Sequence, residues 1–194
     1  MMCSKAALRA RMRAFHEALT PAEAGACDAG ILAHIHAWPV YRMAHTVMLY
    51  MPLPGEPDIS PLLEEGLAAG KRMLLPRCGS NGTLDAVAVR ERSALQRGTY
   101  GIVEPIGTLP AEPPACIDLL LIPGLAFDLR GYRLGRGKGY YDMFLCRTPA
   151  ITAGIAQAGR MLPALPCEAH DRAVQYLINE EGILRMPHEG GLPL

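Results

Sequence analysis

A glycine-rich segment late in the chain combines residue types that bind phosphate groups. In residues 133–142, RLGRGKGYYD, glycines alternate with Arg136 and Lys138 directly before a predicted helix. Glycine lets backbone amides approach phosphate oxygens, the amino end of a helix adds partial positive charge, and the two cations neutralise a bound anion. The segment therefore predicts a binding site for a polyanion.

The pattern alone leaves a second interpretation open. No Ser or Thr follows Lys138, so the segment is not a Walker A loop, and it also lacks the Rossmann fingerprint. Basic glycine-rich segments are also typical of solvated connections between elements, and spacing alone does not separate the two interpretations.

The elements that must position this segment alternate between helices and strands. Leu8 and Met12 begin an apolar stripe at helical spacing, while Lys5 and Arg9 lie four residues apart on an adjoining stripe of the same helix. A capping box at Thr20 begins a second helix. Further helices are predicted over residues 60–70 and 140–147, and strands over residues 46–51, 72–75, 84–89, 118–122, 151–156 and 173–178.

This alternation predicts a single α/β domain over residues 1–194. The expected fold is an open, mostly parallel sheet with helices on both sides, and the segment 118–122 is a continuous apolar strand of the kind buried on both faces. The loop after the first strand, residues 52–60, is rich in proline and glycine. The tail over residues 186–194 is predicted to fray.

Composition excludes several classes of protein. The chain has 19 basic and 19 acidic residues and is half hydrophobic, so no nucleic-acid partner is indicated. Its richest apolar run, residues 117–127, is too short to cross a bilayer, so no membrane partner is expected. Six cysteines lie far apart without a CxxC pair, which indicates free thiols in the cytoplasm. No obligate protein partner is indicated, and an amino-terminal transit peptide remains an alternative.

Residues 123–142, PGLAFDLRGYRLGRGKGYYD, resemble the signature of the 5-formyltetrahydrofolate cyclo-ligase family, also called methenyltetrahydrofolate synthetase. Four shorter segments follow that family's order, namely KAALR at 5–9, YMPLPGEPDIS at 50–60, YGIVEP at 100–105 and HD at 170–171. The resemblance implies a fold related to sugar-phosphate isomerases and CoA-transferases. It also implies that ATP and a reduced folate meet in one cleft, where phosphorylation of the formyl oxygen converts 5-formyltetrahydrofolate to 5,10-methenyltetrahydrofolate, ADP and phosphate.

The resemblance further implies roles for individual residues. Asp142 and Asp171 are the implied ligands of Mg²⁺, a hard cation that carboxylates and phosphate oxygens hold well. The implied ATP-binding residues are Lys5, Arg9, Arg133, Leu134, Gly135, Arg136, Gly137, Lys138, Gly139, Tyr140 and Tyr141. The implied folate-binding residues are Met51, Glu56, Tyr100, Arg136, Gly137, Lys138, Gly139 and Tyr140. We expect Arg136 and Lys138 to be catalytic, by stabilising charge on the transferring phosphoryl group, and Glu56 to orient the folate.

Some interpretations remain open at this stage. Asp142 also suits the start of a helix and Asp171 also suits a turn, whatever their role with a metal. Glu104 in YGIVEP either contacts a ligand or organises a turn before proline, and Gln175 stands where family members often have Asp. On function, the alternatives are an enzyme of the same fold that acts on another metabolite, and a binding protein without turnover.

Overall fold

The structure is a computed structural model that describes residues 4–79, 83–98 and 101–187. Its helices are α1 (Lys5–Ala18), α2 (Pro21–Ala37), α3 (Pro39–Met43), α4 (Pro61–Ala68) and α5 (Tyr140–Leu145). Its strands are β1 (Thr46–Met48), β2 (Arg72–Cys78), β3 (Leu84–Val89), β4 (Leu95–Arg97), β5 (Val103–Pro105), β6 (Ala111–Glu112), β7 (Leu119–Pro123), β8 (Ala126–Asp128), β9 (Arg133–Leu134), β10 (Ile151–Ile155), β11 (Met161–Leu162), β12 (Tyr176–Asn179) and β13 (Gly182–Arg185). Among the helices of these ranges, none is both long enough and apolar enough to cross a membrane.

Eight strands form the central sheet, in the order β13-β12-β10-β7-β1-β2-β3-β6. Neighbouring strands from β12 to β2 in this order run parallel, whereas β13, β3 and β6 join antiparallel at the two edges. This arrangement confirms the predicted mostly parallel sheet. No strand is predicted after residue 178, so β13 is an element that the sequence did not indicate.

Helices cover both faces of the central sheet, as predicted. Residues of α2, α3 and α4 pack in one buried cluster, and Phe144 of α5 packs in a second cluster. In β7 the side chains alternate between the two: Leu119 and Leu121 belong to the first cluster, and Leu120 and Ile122 to the second. The apolar run therefore forms a strand that is buried on both faces within the central sheet, as predicted.

The carboxyl-terminal tail is partly packed. The backbone amide of Met186 donates to the carbonyl of Gln175 at 2.9 Å, and its side chain is buried in the second cluster. The packed structure therefore extends at least to Met186. Residues 188–194, the rest of the tail predicted to fray, lie outside the described residues.

A small second sheet takes two strands, β8 and β9, from between the predicted strand 118–122 and the predicted helix 140–147, and a third strand, β11, from the segment after β10. Its strands have the order β11-β8-β9. Leu8 and Met12 of α1 pack against this sheet in a buried cluster with Leu125, Leu134 and Leu162. The small sheet therefore fixes α1, and with it the basic stripe of that helix, beside the glycine-rich segment that follows β9.

The carboxylate of Asp128 organises the turn between β8 and β9. Asp128 is fully buried, and its oxygens accept hydrogen bonds from the backbone amides of Arg130 at 3.0 Å, Tyr132 at 3.1 Å and Leu165 at 2.9 Å. The guanidinium of Arg130 adds a contact of 2.7 Å. One side chain thus joins the turn that precedes Arg133 to the segment that follows β11.

Removal of this carboxylate should destabilise the protein. We expect Asp128→Ala to lower the free energy of unfolding by about 3 kcal/mol, because buried amides lose their acceptor. Asp128→Asn, which keeps one oxygen, should lower it less. Urea unfolding followed by circular dichroism measures both changes.

The control is Asp85→Ala, which removes a half-exposed carboxylate 3.5 Å from Arg77. This control should cost less than about 1 kcal/mol. A loss for Asp128→Ala no larger than that of Asp85→Ala would contradict the organising role of Asp128.

Candidate active site

A cleft of about 850 Å³ opens at the carboxyl ends of β1 and β7. Ligands of open α/β sheets bind at this edge. The glycine-rich loop, residues 135–139, and the proline-rich loop, residues 52–60, both line the cleft. It brings together the predicted residues Lys5, Arg9, Met51, Glu56, Arg133, Leu134, Gly135, Arg136, Gly137, Lys138, Gly139, Tyr140, Tyr141, Asp142 and Asp171. Tyr100 lies outside the described residues.

Two glycines with left-handed backbone shape the glycine-rich loop. Gly137 has φ of 104° and Gly139, directly before α5, has φ of 70°. Nε of Arg9 donates to the carbonyl of Gly135 at 2.9 Å, and a Cβ placed on Gly137 would lie 3.4 Å from Nη2 of Arg9. Arg9 therefore attaches the loop to α1. Because α5 has only 6 residues, the side-chain cations supply most of the positive charge here, and the helix dipole supplies less than the sequence suggests.

Lys5 is paired with two carboxylates from the segment before β12. Its Nζ lies 2.9 Å from Oε1 of Glu168 and 2.9 Å from Oδ2 of Asp171. Burial lowers the pKa of Lys5, but its hydrogen bonds to Asp171 and Glu168 outweigh burial and raise that pKa. Burial likewise raises the pKa of Asp171, but the bonds from Lys5 and the Glu168 amide outweigh it and lower that pKa. Both members of the Lys5–Asp171 pair are therefore held in their charged forms.

Arg133 is a nearly buried cation with an unused donor. Its Nη2 lies 2.7 Å from Oδ2 of Asp142, and only 5% of its side chain is exposed. Burial lowers the pKa of Arg133, and Asp142 acts against this shift. Nη1 of Arg133 is buried and has no hydrogen-bond partner among the described residues. A cation with an unpaired donor in a cleft wall is suited to an anionic ligand.

The two implied metal ligands fit Mg²⁺ when a phosphate ligand is added. Oδ1 of Asp142 accepts a hydrogen bond of 3.1 Å from the amide of Arg172, the neighbour of Asp171, so the backbone links the two carboxylates. In the described part of the chain, no group of three or more His, Cys, Asp or Glu side chains is arranged to hold a metal ion. Mg²⁺ is commonly held by one or two protein carboxylates together with phosphate oxygens and water, so this pair is a chemically suitable set.

Glu56 joins the proline-rich loop to the glycine-rich loop. Its Oε2 accepts from the amide of Leu53 at 3.0 Å, and its Oε1 lies 3.2 Å from Nε of Arg136. Arg136 also donates to the carbonyl of Pro54 at 3.0 Å. Burial raises the pKa of Glu56, whereas the Leu53 amide and Arg136 act to lower it. Glu56, which is predicted to bind the folate, is therefore oriented by Arg136, which is predicted to bind the nucleotide.

The other predicted residues differ in what they present to the cleft. Met51 is buried at the cleft wall, and Lys138 is exposed within it. The side chain of Leu134 is buried in the cluster of α1 and the small sheet, so its backbone is the part available to a ligand. Gln175 bonds the amide of Thr152 at 2.9 Å and lies outside the cleft, so it does not extend the acidic pair.

Two buried charged residues near the cleft make contacts that the sequence does not predict. Glu104 lines the cleft with 6% of its surface exposed, and its Oε2 accepts from the amide of Cys78 at 3.2 Å, so it ties β5 to β2. Arg160 is fully buried in a single helical turn after β10. No motif or periodicity singles out Arg160, because its burial depends on elements distant in sequence.

The chain is similar to proteins of one family. The model of the 5-formyltetrahydrofolate cyclo-ligase family matches residues 1–180. The 5-formyltetrahydrofolate cyclo-ligase of Escherichia coli (strain K12) is 32% identical over 168 residues, covering 82% of this chain and 91% of that protein. The Mycolicibacterium smegmatis protein of the same name is 33% identical over 149 residues, covering 73% and 77%.

A solved structure agrees with these sequence matches. The NMR structure of Aquifex aeolicus 5,10-methenyltetrahydrofolate synthetase superposes with a TM-score of 0.85 at 31% identity. The superposition covers 98% of this chain and 96% of that one. The similarity therefore extends to the fold as well as to the sequence.

The backbone of the glycine-rich loop gives a test of its geometry. Gly137→Ala should lower the free energy of unfolding by about 1–2 kcal/mol, because a residue with a side chain is strained at this φ. Gly107→Ala is the matched control, since a Cβ there meets no atom within 4 Å. Urea unfolding compares the two, and equal losses would contradict the loop conformation described.

Proposed function

The chain belongs to the 5-formyltetrahydrofolate cyclo-ligase family, and on this premise we propose how its cleft carries out that family's reaction. The protein is a ligase of folate one-carbon metabolism that converts 5-formyltetrahydrofolate to 5,10-methenyltetrahydrofolate with the use of ATP. ATP binds the cations around the glycine-rich loop, and the folate binds beside the proline-rich loop.

The observation that carries this proposal is the convergence of cations on a cleft that also holds a buried carboxylate. Lys5 and Arg9 come from α1, Arg133 from β9, and Lys138 from the glycine-rich loop, and all of them line the same cleft as Glu56. Binding of a triphosphate needs several cations and backbone amides. A pterin ring has N–H groups that donate hydrogen bonds to a carboxylate. The arrangement suits two substrates that bind side by side.

The chemistry requires that the formyl oxygen leave. A formyl group on nitrogen 5 is an amide, and oxide is a very poor leaving group. Transfer of the γ-phosphoryl group to that oxygen gives an iminium phosphate, which nitrogen 10 attacks before phosphate departs. Such a sequence needs positioning and charge neutralisation rather than a protein nucleophile, so no Ser or Cys is assigned that role.

The residues of the cleft divide these tasks. Lys5, Arg9 and Arg133 bind the phosphates, and the unpaired Nη1 of Arg133 supplies a donor that is already in place. Arg136 and Lys138 stabilise the negative charge of the phosphoryl group as it moves. Tyr140 borders both substrates, Tyr141 borders the nucleotide, and Met51, Glu56 and Tyr100 contact the folate.

Magnesium is part of the proposal. Asp142 and Asp171 would hold Mg²⁺, which would neutralise phosphate charge and orient the triphosphate. Each of these carboxylates is paired with a cation in the structure, Asp142 with Arg133 and Asp171 with Lys5. The phosphates would pair with Lys5 and Arg133, and Asp142 and Asp171 would then be available to the metal.

We also propose that the protein acts in the cytoplasm on small-molecule substrates. The cysteines of the described residues are free thiols, in agreement with a reducing compartment. With 19 basic and 19 acidic residues, the chain has no net positive charge that would attract nucleic acid.

Purified protein with 5-formyltetrahydrofolate, Mg²⁺ and ATP should form the methenyl product. The near-ultraviolet absorbance of that product measures the rate directly. Omission of ATP, or chelation of Mg²⁺ with EDTA, should stop the reaction. A protein that gives no ATP-dependent rise in absorbance would refute the proposed function, and full activity in EDTA would refute the role of the metal.

Two substitutions test the assigned residues. Lys138→Ala and Asp142→Asn should each lower kcat by at least about 100-fold, because each removes charge complementarity at the transferring phosphoryl group or its metal. Arg185→Ala, which removes an exposed cation on the edge strand β13, should leave kcat unchanged. Circular dichroism checks that each variant is folded, and a near-normal rate in a folded Lys138 or Asp142 variant would refute that residue's role.

A further inference from the structure

Arg160 carries a positive charge in a place where the structure does little to stabilise it. The residue is fully buried, with 0% of its surface exposed. Among the described residues, its side chain makes one hydrogen bond, a long contact of 3.4 Å from Nη1 to the carbonyl of Leu125, and Nε and Nη2 are buried without a partner. An arginine does not lose its proton in a protein, so the cost of burying this charge must be offset by neighbouring groups.

The neighbours of Arg160 direct its guanidinium towards the proline-rich loop. The ring of Phe15, from α1, lies 5.4 Å from Cζ of Arg160 and packs so closely on Gly159 that a side chain there would overlap the ring. Nη2 of Arg160 lies 3.5 Å from the position of a Cβ on Gly55, the residue directly before Glu56. Arg160 is thus held between α1 and the loop that carries Glu56.

Electrostatics connects Arg160 to Glu56. Burial lowers the pKa of Arg160, and Glu56 is the carboxylate that acts most strongly to raise it again. In return, Arg160 helps to lower the pKa of Glu56, after the Leu53 amide and Arg136. Glu56 therefore interacts with two cations that differ in mobility: Arg136 is 45% exposed on the glycine-rich loop, whereas Arg160 is fixed in the interior.

We propose that Arg160 is a positioning residue that keeps Glu56 charged and oriented towards the folate while Arg136 engages the nucleotide. The inference rests on the proposed function, which draws Arg136 to the phosphoryl group. When Arg136 leaves Glu56, the nearly buried carboxylate loses its paired cation. Arg160 is buried and stays in place, so its positive charge continues to stabilise the ionised form of Glu56, which accepts hydrogen bonds.

The other titratable groups around Glu56 do not replace Arg160. Burial raises the pKa of Tyr50 and of Tyr141 far above neutral pH, so both hydroxyls stay protonated. His16 of α1 packs against Gly55 rather than against the carboxylate: its Cγ lies 3.2 Å from the position of a Cβ on Gly55. Among the described residues, the titratable groups near Glu56 or its loop include Arg136, Arg160, Tyr50, Tyr141 and His16, together with Asp28, which accepts a hydrogen bond from the backbone of Asp58 in that loop.

The direction of the pH effect follows from these charges. Folate binding needs ionised Glu56, so affinity falls as the pH drops through the pKa of this carboxylate. Removal of Arg160 takes away a charge that lowers that pKa. The acid limb of the folate kcat/KM profile should therefore move to higher pH.

Arg160→Gln and Arg160→Lys form the test pair, because the first removes the charge and the second keeps it. For Arg160→Gln we expect KM for 5-formyltetrahydrofolate to rise about tenfold at neutral pH, the acid limb to move up by about one pH unit, and KM for ATP to stay within about twofold. Arg160→Lys should restore most of the folate affinity. Arg13→Gln, an exposed position on α1, is the control for loss of one positive charge and should match the wild type.

A double-substitution cycle separates positioning from simple loss of packing. In the Glu56→Gln background, Arg160→Gln should raise KM for the folate by less than about twofold further, because the carboxylate that it acts on is already absent. Unchanged folate KM and pH profile in Arg160→Gln would overturn the inference. So would an equal rise in both KM values, a Lys variant no better than the Gln variant, or full additivity in the cycle.

Equilibrium binding keeps the test independent of turnover. Titration of 5-formyltetrahydrofolate without ATP, followed by protein fluorescence across pH, reports the same affinity shift. A wild type that makes no product would refute the proposed function, while this titration would still support or overturn the positioning role. If Arg160→Gln does not fold, the same titration of Arg160→Lys and Glu56→Gln tests the positioning role. The role is supported if Arg160→Lys has the same acid limb as the wild type and Glu56→Gln has no acid limb. Any other pattern overturns the role.

Discussion

The site depends on local neutralisation of charge. The chain has 19 basic and 19 acidic residues, and three of the cations that line the cleft are paired with carboxylates of the protein. The pairs are Lys5–Asp171, Arg133–Asp142 and Arg136–Glu56. Pairing lowers the cost of burying each cation before a ligand arrives. In the proposed function, phosphate oxygens would replace Asp171 and Asp142 as the partners of Lys5 and Arg133, and a divalent cation would replace these two cations as the partner of the carboxylates.

This set of pairs requires a frame that the central sheet alone does not supply. The central sheet places the proline-rich loop after β1, but Lys5, Arg9 and Arg133 are placed by α1 and the small sheet. Asp128 fixes the turn of that sheet through buried hydrogen bonds, although it touches no part of the cleft. The geometry of the cleft therefore depends on a carboxylate whose role is entirely structural.

Much of the site is predictable because its residues are close together in the sequence. The glycine-rich loop and the basic stripe of α1 are local patterns, and the structure places both in one cleft. The long apolar run of β7 likewise predicts a strand buried on both faces. The expectation for Tyr100 stays a prediction, as do the individual ligand roles.

The features that sequence reasoning missed depend on contacts between distant segments. The strands β8 and β9 are short and are flanked by Gly124, Gly131 and Gly135, so the sequence predicts no strand at either place. Arg160 is buried against the usual preference of arginine for the surface, and only the arrangement of Phe15 and Gly55 explains its position. No local pattern encodes either feature.

The packing of α1 on the small sheet also bears on how the chain folds during translation. Arg9 and its acceptor Gly135 are separated by 126 residues, and Lys5 and Asp171 by 166. On the ribosome, α1 is synthesised long before the strands that cover its apolar stripe. Leu8 and Met12 are therefore exposed until most of the chain has been made. The part of the cleft that α1 and the small sheet form is therefore completed late in synthesis, after the segments near the carboxyl end have emerged.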